Sequence, residues 1–271
     1  MKRRASNVSL LLGASLVAAL VLSAVFGPML VGSNPEAIDL AHALAAPSRD
    51  HWLGCDALGR DILARILWGA RISLGVSTVV IALSLIAGSL IGGFAAMAGG
   101  RVDEIVMRAV DIVLAFPGFL LAITLAAILG PGLVDLIIAL AAMGWTGYAR
   151  LVRGELLTLR ERDFAQAARA LGAHPARILF RHLLPALSGP VMVQASFGVG
   201  GIIIAEAALS FLGLGVLPPA PSWGNMLDSG RAFLLVAPHL TTAPGVAIGL
   251  AVLGFNLLGD GLAQLVDSYR R

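Results

Sequence analysis

Apolar residues in this chain do not alternate with polar ones. They gather into long blocks separated by short polar stretches. The first block runs without a charge from Ala5 to Pro35, and later ones cover Ile72 to Gly100, Ile112 to Leu129, Leu133 to Ala149, Leu187 to Leu212 and Thr242 to Leu258. A helix needs about 20 apolar residues to cross a bilayer, so the pattern predicts an all-α polytopic membrane protein with six transmembrane helices. A β-barrel would show alternating stretches of about ten residues instead. The first block exceeds the apolar core of a cleaved signal and is expected to stay as an anchor helix. The small-residue run AHALAA at 41–46 lies too far beyond it to mark processing.

The polar stretches predict the connections. Residues 32–71 form the longest early one. Within it Asp61 to Arg71 has the spacing of an amphipathic helix lying on the membrane, with Ile62, Ile66 and Trp68 toward an apolar surface and Arg65 toward water. RVDEIVMR at 101–108 reads as a short charged connection, Gly130-Pro131-Gly132 as a tight turn, and 213–231 as a Pro-rich polar loop. Two units are expected. Residues 1–71 supply the N-terminal span and external loop, and 72–271 supply a five-helix core.

Composition agrees with the blocks: 58% of the 271 residues are hydrophobic and 13% charged, with a mean hydropathy of +0.89, more than a soluble core requires. The 32 glycines and 13 prolines suit membrane helices that pack closely and bend. In such a chain the net charge of +3 speaks of orientation rather than of a nucleic-acid partner. With the N-terminus inside, 14 of the 19 Lys and Arg residues fall on the inner side, so positive-inside bias places both termini in the cytoplasm. Cys55 is the single cysteine, which excludes an internal disulfide and a thiolate metal cluster.

One stretch breaks the apolar pattern on the cytoplasmic side, Thr158 to Pro185. Thr158 followed by Glu161 has the form of a capping box, and Gly172 has the form of a helix end. Between them Phe164, Ala167, Ala168 and Leu171 share a helical face kept small by Ala165, Ala170 and Gly172. A second helical piece, Ala176 to Leu184, carries Arg177 and Arg181 and is expected to end at Pro185. Such a segment fits either of two roles, a basic helix resting on anionic lipid or a helix seated in a partner's cleft.

DFAQAARALGAHPARILFRHLLP (163–185) resembles the cytoplasmic "EAA" signature of permease subunits in ATP-binding-cassette importers. HWLGCDALGRDILARILWGARISLG (51–75) and AALSFLGLGVLPPAPSWGNMLDSGR (207–231) are similar to the dipeptide, oligopeptide and nickel branch of that family. The resemblance implies a permease fold with a coupling helix seated in a groove of the nucleotide-hydrolysing subunit. Asp163, Gln166, Ala167, Ala168 and Gly172 would lie at that contact, and Leu184 and Pro185 would return the chain to the fifth span. It also implies the partners: a homologous second permease, two ATP-binding subunits, an extracytoplasmic solute-binding protein and the lipid of a bacterial inner membrane. The chain departs from the family pattern at Gln166, where Glu is usual, and at Cys55, where Thr is usual.

The remaining residues carry no catalytic constellation. No GxxxxGK[ST] loop is present, so ATP and magnesium are expected on the partner subunits and no cofactor or metal on this chain. The five histidines are scattered, and His174 and His182 suit a polar helix face better than a metal. Glu206 falls about 25–30 Å along the fifth span, near the outer boundary, where it would either bind a peptide amine or hold the interface; Gly198 and Gly201 accompany it as candidate pathway positions. Asp111, Asp135 and Asp260 are expected to be solvated or capping, and the pairs Gly88/Gly92 and Gly245/Gly249 to permit close helix crossing. Transport of di- or oligopeptides is the expected function, with a nickel or metal-chelate importer and an ion-coupled secondary transporter as the alternatives. A membrane enzyme or scaffold is disfavoured by the missing catalytic residues.

Overall fold

The computed structural model describes residues 2–32 and 34–270, and their regular elements are all helical. Met1, Ser33 and Arg271 lie outside the described residues, as do the side chains at 2–7, 30, 175, 176 and 268–270, so the terminal cations of the charge count are not placed. The early elements are α1 (Lys2–Val31), α2 (Ile62–Ala98), α3 (Gly100–Ala115), α4 (Gly118–Leu129) and α5 (Leu133–Leu159). Then come α6 (Asp163–Ala170), α7 (Pro175–Ile178), a π-helical turn (Leu179–Leu183), α8 (Leu184–Ala186), α9 (Ser188–Phe211), α10 (Trp223–Arg231) and α11 (His239–Arg270). Among the described residues, five helices are long and apolar enough to cross a membrane: α1, α2, α5, α9 and α11.

The third expected span is broken. α3 and α4 meet at 83°. Phe116, the residue before Pro117, is extended (φ −86°, ψ 140°), because the proline ring crowds the helical conformation of its predecessor. RVDEIVMR is therefore the first half of α3 rather than a loop. That helix is tied to α5 by Arg153, which donates from Nη2 to Asp103 Oδ2 at 2.6 Å and also from Nε, and by Arg150 to Asp111 at 2.8 Å. Asp111, expected to be solvated or capping, is thus an ion-pair partner.

The interfacial helix expected at 61–71 does not exist separately. Asp61 caps α2 by accepting from Ala64 N at 2.8 Å, and the helix continues to Ala98 because nothing after Arg71 interrupts it. Arg65, expected in water, is 2% exposed; it donates to the Pro35 carbonyl at 3.0 Å and lies 3.5 Å from Asp56. At 37 residues α2 extends about 55 Å, well beyond a hydrocarbon core of about 30 Å, so part of it must project past the apolar layer. Arg71 has its own reason to bend inward. Pro28 in α1 has no N–H to offer the Ala24 carbonyl four residues earlier. Arg71 supplies the donor instead, reaching Ala24 O and Val25 O at 2.6 Å each.

The centre of the bundle is the crossing of α2 and α5. A Cβ on Gly88 would stand 2.5 Å from the Trp145 carbonyl, and one on Gly92 would enter the Ala149 backbone, so the Gly88/Gly92 pair performs the expected close approach. Val76, Val80, Leu136, Leu140 and Leu209 fill the adjoining core. Gly245 and Gly249 on α11 touch nothing within 4 Å and face outward. The α5–α9 connection and the 36–61 and 213–238 loops lie at opposite ends of the bundle, since α10 packs against the start of α2, the end of α9 and the start of α11.

Candidate functional site: an exposed helix at one end of the bundle

The segment between α5 and α9 begins where local and tertiary signals conflict. Thr158 is inside α5, its hydroxyl donating to the Gly154 carbonyl at 3.2 Å, so the Thr158–Glu161 capping box is not formed. Leu156 and Leu159 are buried against Ala96, Ile178 and Leu183, and that apolar contact carries α5 past the capping signal. The chain turns at Arg162, the extended residue preceding α6, with no side-chain cap. Arg160 fixes the corner by donating to the Ala96 carbonyl at the end of α2.

α6 divides its small residues between two sides. Ala165 is fully buried in the cluster of Val152, Leu156, Leu159, Ile178 and Leu183 and anchors the helix to the bundle. Asp163, Gln166 and Ala167 are exposed, Ala168 is half-buried, and the large apolar residues of the outer face remain open, Phe164 at 42% and Leu171 at 87% exposure. Gln166 is held on its own segment, its Nε2 donating to the Glu161 carbonyl at 2.9 Å. A glutamate cannot make this donation, so the departure from the family pattern has a local structural consequence.

Gly172 ends α6 as expected, at φ +76°. Its N–H donates to Arg169 O at 2.9 Å and that of Ala173 to Ala168 O at 3.0 Å, the paired bonds of a Schellman motif, which favours glycine because a Cβ crowds this backbone. The following helical path bounds an open cleft beside α6, lined by Phe164, Ala167, Leu171, Arg177, Arg181 and His182 among others. The expectation that Pro185 ends this path is not met. The π-helical turn at Leu179–Leu183 widens the backbone just before the proline, so the missing N–H is accommodated, and Leu187 N bonds to Leu183 O and Leu184 O before α9 begins. Leu184 is half-buried and Pro185 exposed. Of the seven expected contact residues, Ala167, Ala168 and Gly172 line the cleft, Asp163 and Gln166 lie on α6 outside its lining, and Leu184 and Pro185 lie further along the path toward α9.

The residues assigned to a pathway are not brought together. Glu206 is fully buried, accepting from Ser73 of α2 and from Ser210 at 2.9 Å each, with Ser222 at the start of α10 also in hydrogen-bonding reach. It does not open to a pore mouth within this chain; it joins α2, α9 and α10. Trp223 strengthens the same junction by donating to Ile66 O at 3.1 Å. Gly198 faces Ile81 and the Tyr148 hydroxyl, while Gly201 is exposed with open space beside it. His174 and His182 are exposed beside the cleft, and no group of three or more metal-ligating side chains comes together among the described residues. The sequence reading missed the Asp103–Arg153 pair and the cluster of Asp56, Arg60 and Arg65. Both were visible only as charges flanking apolar blocks.

Comparison with known proteins bears on the whole chain. The model of the family described as "Binding-protein-dependent transport system inner membrane component" matches residues 86–271. The chain is 42% identical over 266 residues to the dipeptide transport system permease protein DppC of Alkalihalophilus pseudofirmus, covering 98% of this chain and 88% of that one. It is 46% identical over 221 residues to the glutathione transport system permease protein GsiD of Pectobacterium atrosepticum, covering 82% and 73%. Among solved structures, an inward-facing form of the MetNI methionine ABC transporter aligns with a TM-score of 0.61 at 19% identity, over 74% of this chain and 95% of that one, a likeness of fold.

Proposed function

The chain belongs to the family of binding-protein-dependent transport system inner membrane components, and from that premise we propose that α6 and the cleft beside it receive an ATP-hydrolysing subunit, and that the solute moved is a short peptide. It is a multi-pass permease subunit of an ATP-driven importer. The observation that carries the docking role is the division of α6, with Ala165 locked into the bundle and Phe164, Ala167 and Leu171 left in water on the opposite side. A helix built that way transmits a push on its outer face into the buried cluster that Ala165 shares with Ala96 at the end of α2, Leu156 and Leu159 of α5, and Leu187 just before α9.

Two ATP-binding subunits hold the nucleotide and magnesium, and a homologous second permease completes the pathway. A solute-binding protein delivers cargo at the end formed by 36–61 and α10. The basic residues Arg150, Arg153, Arg160, Arg162, Arg169, Arg177 and Arg181 gather at the α6 end, which supports placing that end and both termini in the cytoplasm. Alternating access then follows as rigid-body rocking of the two permeases, driven at α6. The relatives named for dipeptide and glutathione transport support a peptide solute. The test is co-purification of this chain with its partners, followed by uptake into proteoliposomes of labelled dipeptide, glutathione and nickel. ATP-dependent peptide uptake is expected. Uptake that ignores ATP and follows the proton gradient would overturn the importer reading, and nickel uptake alone would overturn the peptide assignment.

A further inference from the structure

The external end of the bundle holds a charge cluster that the transport reading does not use. Arg65 is 2% and Arg60 9% exposed, and the carboxylate paired with both is Asp56, also 9% exposed. Asp56 is saturated. Its Oδ1 accepts from Leu58 N at 2.9 Å and Arg60 N at 3.0 Å, and its Oδ2 accepts from Arg60 Nε at 2.7 Å and lies 3.5 Å from Arg65 Nε. Arg65 spends one further donor on the Pro35 carbonyl at 3.0 Å. Each guanidinium has five N–H donors, so both retain donors, and two buried positive charges share one negative one. Glu36 acts on Arg65 only at longer range, as an exposed residue.

The two arginines line a partly enclosed cavity of about 30 Å³ between the first turn of α2 and the α10–α11 hairpin. Asp56 also lines it, so its wall carries two positive groups and one negative one; Ile62, Met226 and Leu240 form apolar walls, and Ser229, exposed at the rim, already donates its hydroxyl to the Asn225 carbonyl at 2.9 Å. A cavity of that size holds one or two water-sized guests. Burying an unbalanced charge is costly, and water brings no charge to offset it. We propose that this cavity is a binding site for a small monovalent anion of chloride's size, held by Arg60 and Arg65, which completes the charge balance of the external layer and fastens α10 and α11 to the start of α2. The apolar walls and narrow volume disfavour a polyatomic dianion such as sulfate.

The test uses the assembled importer containing this chain in lipid nanodiscs, at constant pH and ionic strength, with chloride, bromide, sulfate or gluconate as the anion. Thermal unfolding of this subunit, followed by tryptophan fluorescence, is expected to shift upward by about 2–4 °C, saturably, in chloride and bromide only. Bromide is expected to give anomalous scattering between Arg60 and Arg65. Ser229→Glu adds a carboxylate at the exposed rim of the cavity and is expected to weaken the halide response strongly, and Arg60→Gln, which removes one of the two cations, is expected to abolish it. Equal stabilisation by all four anions, bromide bound only elsewhere, or a halide response that persists in Arg60→Gln would overturn the proposal.

Discussion

Leu171→Ala separates docking from folding. The side chain is 87% exposed and stands at the C-terminal end of α6, where it makes almost no intramolecular contact to lose. An exposed substitution of this kind changes stability by no more than about 0.5 kcal/mol. If a partner's groove covers the residue, removing three carbons at about 0.8 kcal/mol each forfeits about 2 kcal/mol of association free energy. At about 1.4 kcal/mol per decade that weakens the complex about 30-fold. The assay titrates purified ATP-hydrolysing subunit onto the permease pair in nanodiscs, with the unfolding temperature of the variant measured alongside. A 10- to 100-fold loss of affinity with unchanged unfolding is the expected result. Wild-type affinity would refute the docking face, and loss of membrane insertion would refute the claim that Leu171 contributes nothing within the chain.

Other substitutions probe neighbouring steps. Gly172→Val forces a β-branched residue to φ +76° and should cost about 1–2 kcal/mol locally, lowering solute-stimulated ATP hydrolysis while insertion continues. Gly92→Leu drives a side chain into the Ala149 backbone at the α2–α5 crossing and should abolish the folded subunit in a membrane-extraction assay. Glu206→Ala leaves the Ser73 and Ser210 hydroxyls without their acceptor in a closed site and should lower the unfolding temperature of the subunit, whereas Glu206→Gln keeps an acceptor and should cost less. If peptide uptake through Glu206→Gln falls at unchanged stability, the carboxylate serves the solute and not the junction between α2, α9 and α10.

Much of this architecture is legible in the sequence because bilayer crossing is written in uninterrupted apolar length. Five of the six blocks coincide with long helices, and Gly172 ends α6 where a helix-stop signal stands. The failures share a cause, the dependence of one element on another that lies far away in sequence. Thr158 and Glu161 satisfy a local rule, but Leu156 and Leu159 find Ile178 and Leu183, and their burial outweighs a cap. Arg65 reads as a water-facing charge until the 34–61 loop folds over it and supplies Pro35 and Asp56. Glu206 leaves two roles open in the sequence, a peptide contact or a structural one, and only the packing of α2, α9 and α10 shows it buried among Ser73, Ser210 and Ser222. Pro117 was visible throughout; its block was long enough to look like one span, although the proline divides it.

The direct measurement of the central claim is a site-directed crosslink. Cys55 is fully buried, and burial together with the Asp61 and Asp56 charges pushes its thiol up, so the native background is unreactive. A single cysteine placed by Ala167→Cys on the exposed face of α6 is predicted to crosslink to the ATP-hydrolysing subunit in native membranes, with a yield that changes when ATP is added. It should also be shielded from a membrane-impermeant thiol reagent applied outside the cell. Labelling from outside, or crosslinking only to lipid, would contradict the account.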